Sequence, residues 1–127
     1  MADKRRQYHL LADEDLMSLT SGGDTGAFTV LYDRHGRAAY SLAYRMMGGR
    51  QASEDLVQEA FLDVWRAAVS YRAQKGSVRT WVLSIVHNRG IDQLRSATRH
   101  RRIEDKVEAT TPTSQPSEAF AETWRNS

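Results

Sequence analysis

The chain has 127 residues, of which 40% are hydrophobic and 27% are charged, a profile typical of one small globular domain rather than of a disordered protein. Its net charge at pH 7 is only +2, and it has no cysteine, which excludes disulfide bonds and thiol chemistry. The sequence shows neither a secretory signal nor a run of about 18 apolar residues that could span a membrane, so we expect a soluble, cytoplasmic protein.

Pairs of glycines divide the first half of the chain into helices. A short helix is predicted over residues 13–20, and Gly22-Gly23 ends it. Asp24 is a typical N-cap for a long second helix, which Gly48-Gly49 ends. Gly36 interrupts this helix midway, at a point where it could bend. The apolar side chains of the second helix recur at the spacing of one face: Phe28, Leu31, Ala38, Ala39, Leu42 and Met46.

A third and a fourth helix follow, separated by a polar connector. Ser53 is predicted to be the N-cap of the third helix, which continues to about Ala68. The connector, residues 71–76, leads to Ser77, the expected N-cap of the fourth helix. The fourth helix is predicted to extend through Leu94 and could continue past Arg102, in a part of the chain that contains no proline.

The sequence therefore predicts an all-α fold, a compact bundle of about four helices, in which no strand is expected. Residues 1–12 are predicted to be a flexible N-terminus and residues 13–104 the helical domain. Residues 105–127 are predicted to be a flexible linker, because threonine, proline and serine dominate from Ala109 onward. The segment 117–124 could begin a further helix.

The third helix has one apolar and one polar face. Seven apolar side chains, placed at 100° intervals, form a continuous stripe that we assign to the core: Leu56, Val57, Ala60, Phe61, Val64, Trp65 and Ala68. The opposite face is polar, and Leu62 lies at its centre. Its polar residues are Asp55, Gln58, Glu59, Asp63 and Arg66. This face is either an ordinary solvated surface or a strip that docks a protein partner, with Leu62 as its apolar anchor.

Positive charge is concentrated in the second half of the chain. Residues 66–106 contain ten Lys and Arg against three Asp and Glu, whereas residues 1–65 contain seven against ten. A localised basic block is typical of nucleic-acid binding, although solvated helix faces are often basic too. Within this block, Tyr71 could stack on an unpaired base. The cationic and hydroxyl groups suited to phosphate oxygens are those of Lys75, Ser77, Arg79 and Thr80.

One face of the fourth helix shows the same chemistry. An amide, a carboxylate and two guanidinium groups recur there at helical spacing, and they either read base edges or follow phosphates. These residues are Asn88, Asp92, Arg95 and Arg99. Trp81 is expected to lie in the core beside Ile85.

An enzyme is not expected. The four histidines, at positions 9, 35, 87 and 100, show no spacing typical of metal ligands. The acidic cluster at residues 13–15 lies at a helix start, where carboxylates are favoured electrostatically. No Walker loop and no nucleophile elbow occurs. We therefore predict no catalytic residue, no metal and no cofactor.

Three stretches of the chain, taken together, resemble region 2 of a bacterial sigma factor of the extracytoplasmic-function (ECF) group, in the sigma-70 family. They are FTVLYDRHGRAAYSLAYRMMG at 28–48, SEDLVQEAFLDVWR at 53–66 and GSVRTWVLSIVHNRGIDQLR at 76–95. The middle stretch is the most specific, because its acidic-Leu-Val-Gln-Glu core is followed by Phe and Trp at helical spacing. The resemblance covers most of residues 14–102.

The resemblance implies a role for each surface. In this family the helix of the middle stretch docks on the clamp helices of the RNA polymerase β′ subunit, which assigns polymerase binding to Asp55, Gln58, Glu59, Leu62 and Arg66. The loop before the last helix captures a flipped base of the minus-ten promoter element, which assigns DNA binding to Tyr71, Arg72, Lys75, Ser77, Arg79 and Thr80. The last helix contacts the minus-ten strand and the upstream duplex, through Asn88, Arg89, Asp92, Arg95 and Arg99.

The resemblance leaves two alternatives open. A complete family member carries a second DNA-binding domain, region 4, whereas this chain stops at Ser127 and is therefore either a fragment or a natural short form.

The module would hold melted promoter DNA as a single strand, without covalent chemistry. Alternatively, it is a pure protein-interaction module, the target of an anti-sigma factor or a binder of the polymerase clamp. Weak single-strand binding that prefers minus-ten-like sequence would separate the two.

Overall fold

Helices form nearly all of the described part of the protein. The computed structural model describes residues 7–108, with the side chains of residues 7–103. Its α-helices in this range are α1 (Asp13–Ser21), α2 (Thr25–Met47), α3 (Arg50–Ala67) and α4 (Val78–Glu108). Two short 3₁₀ turns, Ala68–Ser70 and Ala73–Lys75, lie between α3 and α4. The predicted all-α fold is confirmed, and no strand occurs among the described residues.

Glycine and aspartate set the ends of the first two helices as the sequence predicts. Gly22 follows α1, and its N–H donates to carbonyl oxygens of the last turn. The Asp24 carboxylate accepts a hydrogen bond of 3.0 Å from the N–H of Ala27 and so caps α2. Gly48 ends α2 with a φ of 75°, in the left-handed region that a residue with a Cβ atom rarely adopts.

The start of α3 differs from the prediction. The sequence predicts Ser53 as the N-cap, but α3 already begins at Arg50, preceded by Gly49. Ser53 lies in the first turn, is fully buried, and donates its hydroxyl hydrogen to the carbonyl oxygen of Gly49. A helical serine can satisfy its hydroxyl in this way, so the residue type alone does not fix a helix start. Ser77 does cap α4, since its hydroxyl oxygen accepts from the N–H of Thr80 at 3.1 Å.

The core lies where α2, α3 and α4 meet, with α1 packed against α2. All four helices contribute fully buried side chains, among them Leu16, Met17, Leu31, Met46, Leu56, Val64, Val82 and Val86. Burying one aliphatic side chain of this size contributes on the order of 1.5–3 kcal/mol. Trp81 is also buried, as predicted, and the Tyr71 ring packs edge-on against it with the ring centroids 5.4 Å apart.

The apolar face of α3 is largely buried, and α2 is continuous. The apolar stripe of α3 is buried except for Trp65, which is partly exposed and packs edge-on against Phe28. Helix α2 continues through Gly36 without interruption. Among the described helices, none combines the length and the apolar character that a membrane span requires.

Both ends of the predicted helical domain carry additional structure. Helix α4 runs to Glu108, beyond the boundary expected at residue 104. The linker predicted from Ala109 onward and the helix predicted at 117–124 lie outside the described residues, as do residues 1–6. Tyr8 belongs to the segment predicted to be flexible, and its hydroxyl donates to the Asp24 carboxylate at 2.8 Å.

Helix α4 approaches α2 and α3 closely at Gly90. A Cβ atom added there would lie 2.6 Å from the Met46 methyl carbon and 3.2 Å from a methyl carbon of Leu56. At Gly36, an added Cβ atom would meet nothing nearer than the Tyr32 ring at 3.6 Å, an ordinary contact. Both glycines lie inside helices, so they lower helix propensity similarly and differ in the space around them.

We predict that Gly36→Ala raises the free energy of unfolding by about 0.5–1 kcal/mol, because alanine favours the helix and displaces no neighbour. Gly90→Ala should gain no such stability, since its methyl group must displace Met46 and Leu56 from packed positions. Urea denaturation of the wild type and both variants, followed by circular dichroism, measures the difference. Equal stabilisation by the two substitutions would show that the Met46 and Leu56 side chains can move aside at no cost.

Candidate protein-binding and nucleic-acid-binding surfaces

The polar face of α3 forms one exposed strip. Asp55, Gln58, Glu59, Leu62 and Arg66, here called the α3 strip, are all exposed, whereas the opposite face of the helix is mostly buried. The Leu62 side chain is 50% exposed among charged and amide groups. An exposed leucine in such surroundings can anchor a protein partner, while the polar groups set the partner's orientation. The structure thus brings all five predicted partner-binding residues to one surface.

Beside the α3 strip, Asp63 pairs with an arginine of α4. Its carboxylate accepts two hydrogen bonds from the Arg89 guanidinium, from Nε to Oδ2 and from Nη2 to Oδ1, each 2.9 Å long. These bonds raise the pKa of Arg89 above its ordinary value, so the guanidinium stays charged. The two-pronged pair ties α3 to α4. Arg89, which the resemblance assigns to DNA, is therefore turned toward α3 and better placed to hold the two helices together.

Three members of the α3 strip have partners within the molecule, one of them Arg66, which lies 3.6 Å from the Asp63 carboxylate. The Glu59 carboxylate accepts a hydrogen bond of 2.7 Å from the Gln93 amide of α4, and the Asp55 carboxylate accepts one of 2.9 Å from Gln51. Both contacts are exposed, so a partner protein could replace them at little cost. Sequence reasoning missed Gln93, because no local pattern joins it to Glu59.

The connector is a turn closed by hydrogen bonds. The Tyr71 hydroxyl donates to the carbonyl oxygen of Gly76 at 2.9 Å, and Arg72 donates to the carbonyl oxygens of Val69 and Tyr71. Desolvation raises the pKa of Tyr71, so its hydroxyl remains a donor. Gly76 has a φ of 110°, which favours glycine. Tyr71 and Arg72 therefore shape the turn that presents Lys75, which is exposed.

Arg79, at the start of α4, is exposed and yet held in place. Its Nε–H donates to Nδ1 of His35 at 3.2 Å, and its Nη2 donates to the carbonyl oxygen of Arg34 at 3.0 Å. The neighbouring hydroxyls of Ser77 and Thr80 hydrogen-bond to each other at 3.0 Å. The predicted phosphate-binding groups thus share one end of α4, with Arg79 fixed against α2.

His35 is the buried centre of a polar cluster that joins three helices. Its Nε2 lies 2.9 Å from Oδ2 of Asp13 on α1. Asp13 also pairs with Arg34, at 3.0 Å. Burial lowers the pKa of His35, and the Asp13 carboxylate opposes this effect only in part, so the imidazole is neutral near pH 7.

The sequence contains one signal that His35 is buried, which the search for metal-ligand spacing among the histidines does not use. His35 lies four residues after Leu31 and four before Ala39, so it falls on the core face of α2. The spacing indicates burial. It does not indicate that Arg79 of a distant helix is the partner.

The polar residues predicted on α4 are exposed along its length. Asn88, Asp92, Arg95 and Arg99, here called the α4 stripe, all lie on the surface. A shallow depression of about 380 Å³ follows three of them and is also lined by Thr98 and Arg102. A concave, mostly cationic surface suits the phosphates and base edges of nucleic acid. Within the described residues, no three His, Asp or Glu side chains are arranged to hold a metal ion.

Known proteins are similar to the part of the chain that carries these surfaces. Residues 31–100 match the family model for sigma-70 region 2. The chain is 36% identical over 81 residues to the ECF RNA polymerase sigma factor SigK of Mycobacterium ulcerans (strain Agy99), which covers 64% of the chain and 43% of that relative. It is 38% identical over 73 residues to the protein of the same name from Mycobacterium sp. (strain KMS), which covers 58% of the chain and 38% of the relative.

A third relative gives the same relationship. The chain is 35% identical over 80 residues to the ECF RNA polymerase sigma factor SigK of Mycobacterium bovis (strain BCG / Pasteur 1173P2), which covers 63% of the chain and 43% of that protein. The chain thus spans less than half the length of these relatives. The family match itself extends from α2 into α4 and includes the α3 strip, the connector and the α4 stripe. Since it covers more than half of the chain, the protein belongs to the sigma-70 region 2 family.

Proposed function

We propose that this chain docks on core RNA polymerase through the α3 strip and holds the minus-ten promoter element as a single strand through the connector and the α4 stripe. Membership of the family supports a role in transcription initiation, and the family is one of initiation factors rather than enzymes. One observation carries the finer proposal. Two exposed surfaces of different character lie on adjacent helices, which Asp63 and Arg89 tie together.

The α3 strip has the chemistry of a small protein interface. Leu62 supplies an apolar anchor, and Asp55 and Glu59 supply negative charge on either side of Gln58. Protein interfaces concentrate their binding free energy in a few such anchors, while the polar rim fixes orientation and speeds association. The proposed partner is the pair of β′ clamp helices, because the resemblance of residues 53–66 assigns this face to them.

The connector and the α4 stripe form the proposed DNA surface. Exposed cations at Lys75, Arg95 and Arg99, together with Arg79 in the first turn of α4, suit phosphate contacts, which give affinity without sequence preference. Asn88 and Asp92 add a donor and acceptors that can distinguish base edges. The turn around Tyr71 is the proposed site of a flipped base, whose unstacking costs a few kcal/mol that pocket contacts offset.

The proposed mechanism is an equilibrium one. A surface that binds unpaired bases better than duplex DNA shifts promoter DNA toward its melted state by the difference between the two affinities. Polymerase binding at the α3 strip would hold the module beside the DNA and raise its effective concentration there. No bond of the DNA is made or broken in this step.

Replacing Leu62 with Ala should weaken binding to purified core RNA polymerase by about tenfold or more, because the anchor of a small interface carries much of its binding free energy. Asp55→Lys should abolish saturable binding by reversing a charge on the same strip. A titration of labelled chain with core polymerase measures both effects. Val69→Ala is the matched control, since Val69 is 67% exposed but lies outside the α3 strip. Equal affinities for Leu62→Ala and Val69→Ala would remove the docking assignment.

Replacing Lys75 and Arg95 together with Ala should lower affinity for single-stranded DNA and flatten its salt dependence. Each lost phosphate contact should reduce the slope of log K against log salt by about 0.7, because fewer counterions are released. Fluorescence anisotropy of a labelled oligonucleotide at several salt concentrations measures the slope. Arg50→Ala is the control, since this arginine side chain is 86% exposed and lies at the start of α3. An unchanged slope would favour the protein-interaction module without DNA binding.

Replacing Arg89 with Ala should act on stability and leave the salt slope for single-stranded DNA unchanged, because its guanidinium binds Asp63. A double-mutant cycle of Arg89→Ala and Asp63→Ala in urea denaturation should give a coupling free energy of about 1 kcal/mol, as expected for a two-pronged pair that is partly exposed. The Arg50–Glu54 pair, which is more exposed, should give only a few tenths of a kcal/mol. A reduced salt slope for Arg89→Ala would return this residue to the DNA surface.

A further inference from the structure

Arg79 is an exposed arginine whose guanidinium is held in one orientation by hydrogen bonds within the protein. Two of its five N–H donors are engaged, Nε–H with Nδ1 of His35 and one of the Nη2 hydrogens with the carbonyl oxygen of Arg34. Both acceptors belong to α2, whereas Arg79 lies in the first turn of α4 beside the connector. Three N–H donors remain for an anion at the surface. An arginine held in this way loses little side-chain freedom when it binds a ligand.

The imidazole of His35 can accept from Arg79 only in one protonation state. Nδ1 must carry the lone pair, so the neutral ring carries its hydrogen on Nε2, which faces the Asp13 carboxylate at 2.9 Å. Asp13 is itself held by Arg34 at 3.0 Å. The cluster therefore runs from α1 through α2 to α4 and fixes the tautomer of a histidine that is only 3% exposed.

We infer that His35 is a positioning residue: its Nδ1 atom holds the Arg79 guanidinium in the orientation that binds a phosphate group at the start of α4. This inference rests on the proposed function, since it requires Arg79 to contact the DNA strand. His35 itself is buried and does not touch the ligand. Its contribution passes through the hydrogen bond to Arg79.

Protonation of His35 breaks the hydrogen bond from Arg79, because Nδ1 then carries a hydrogen that faces the Arg79 N–H. The charged groups around the ring are Asp13 from α1, Arg34 from α2 and Arg79 from α4. Burial lowers the pKa of His35, so in the folded state the ring takes up its proton below the ordinary value of about 6.5. The unfolded chain binds this proton more readily, and stability therefore rises with pH up to the ordinary value and is lost as the pH falls below it.

Two substitutions of His35 separate its two contacts. Glutamine places its amide near the position of Nε2, toward Asp13, and leaves Arg79 without its acceptor. Asparagine places its oxygen near the position of Nδ1 and keeps that acceptor. His35→Gln should weaken binding of a labelled single-stranded oligonucleotide at pH 7.5 by about three- to tenfold, since an arginine must then be ordered on binding. His35→Asn should stay within about twofold of the wild type.

A double-mutant cycle with Arg79→Ala distinguishes positioning from a general loss of structure. If His35 acts through Arg79, His35→Gln should change nothing further in the Arg79→Ala background. A further loss of affinity there would overturn the inference, as would wild-type affinity in His35→Gln. If Arg79→Ala alone leaves affinity unchanged, the DNA contact proposed for Arg79 fails, and the inference falls with it.

A pH series requires no substitution in the core. The affinity ratio between the wild type and Arg79→Ala should fall toward one as the pH is lowered through the range, below the ordinary value of about 6.5, in which His35 takes up its proton, because protonated His35 releases the guanidinium. In His35→Asn, which has no titrating ring at this position, the ratio should not change over the same range. A ratio in the wild type that stays constant through the range in which NMR shows the His35 ring to take up its proton would overturn the inference even if every buried variant failed to fold.

Discussion

At Gly90, α4 passes so close to α2 and α3 that an added Cβ atom would lie 2.6 Å from the Met46 methyl carbon. Gly90 thus lies on the buried face of a helix that serves both the core and the surface. Val82 and Val86 are fully buried, whereas Asn88 is exposed. Because successive residues of an α-helix turn by about 100°, fixing one residue against the core fixes the direction of all the others. The proposed DNA surface is therefore a consequence of core packing.

The pair between Asp63 and Arg89 gives the two surfaces a common border. Next to it, Glu59 of the α3 strip accepts a hydrogen bond from Gln93, the residue that follows Asp92 of the α4 stripe. A cationic group of a docking protein that bound Glu59 would take this acceptor from Gln93. Replacing one exposed partner of a carboxylate by another changes the free energy by about 1 kcal/mol or less. Binding of a partner at the α3 strip would therefore affect the α4 stripe only weakly.

The fold and the exposed faces of α3 and α4 followed from signals that act over a few residues, whereas the contacts between helices at the site did not. Asp24 and Gly48 set helix ends through groups in the adjacent turn, and the faces of α3 follow from helical spacing. Arg79, in contrast, meets a histidine 44 positions away, and Arg89 meets a carboxylate 26 positions away. No periodicity joins residues at such separations, because the packing of the whole bundle decides which side chains meet. Ser53 failed as a predicted cap for a related reason, since a small hydroxyl suits a helix start and a buried helical position equally.

Pre-organisation of the connector bears on how a small module can hold a flexible strand. Single-stranded DNA loses conformational freedom on binding, and side chains that had to be ordered at the same time would add to this loss. Tyr71 and Arg72 already donate to backbone carbonyl oxygens, and Arg79 is held by α2. On such a surface the side chains are ordered before binding, and the binding free energy comes from the attraction between a few cations and the phosphates. On the proposed function, such binding is expected to be weak and salt-dependent for the module alone, and a docked polymerase would supply the further contacts that retain a promoter strand.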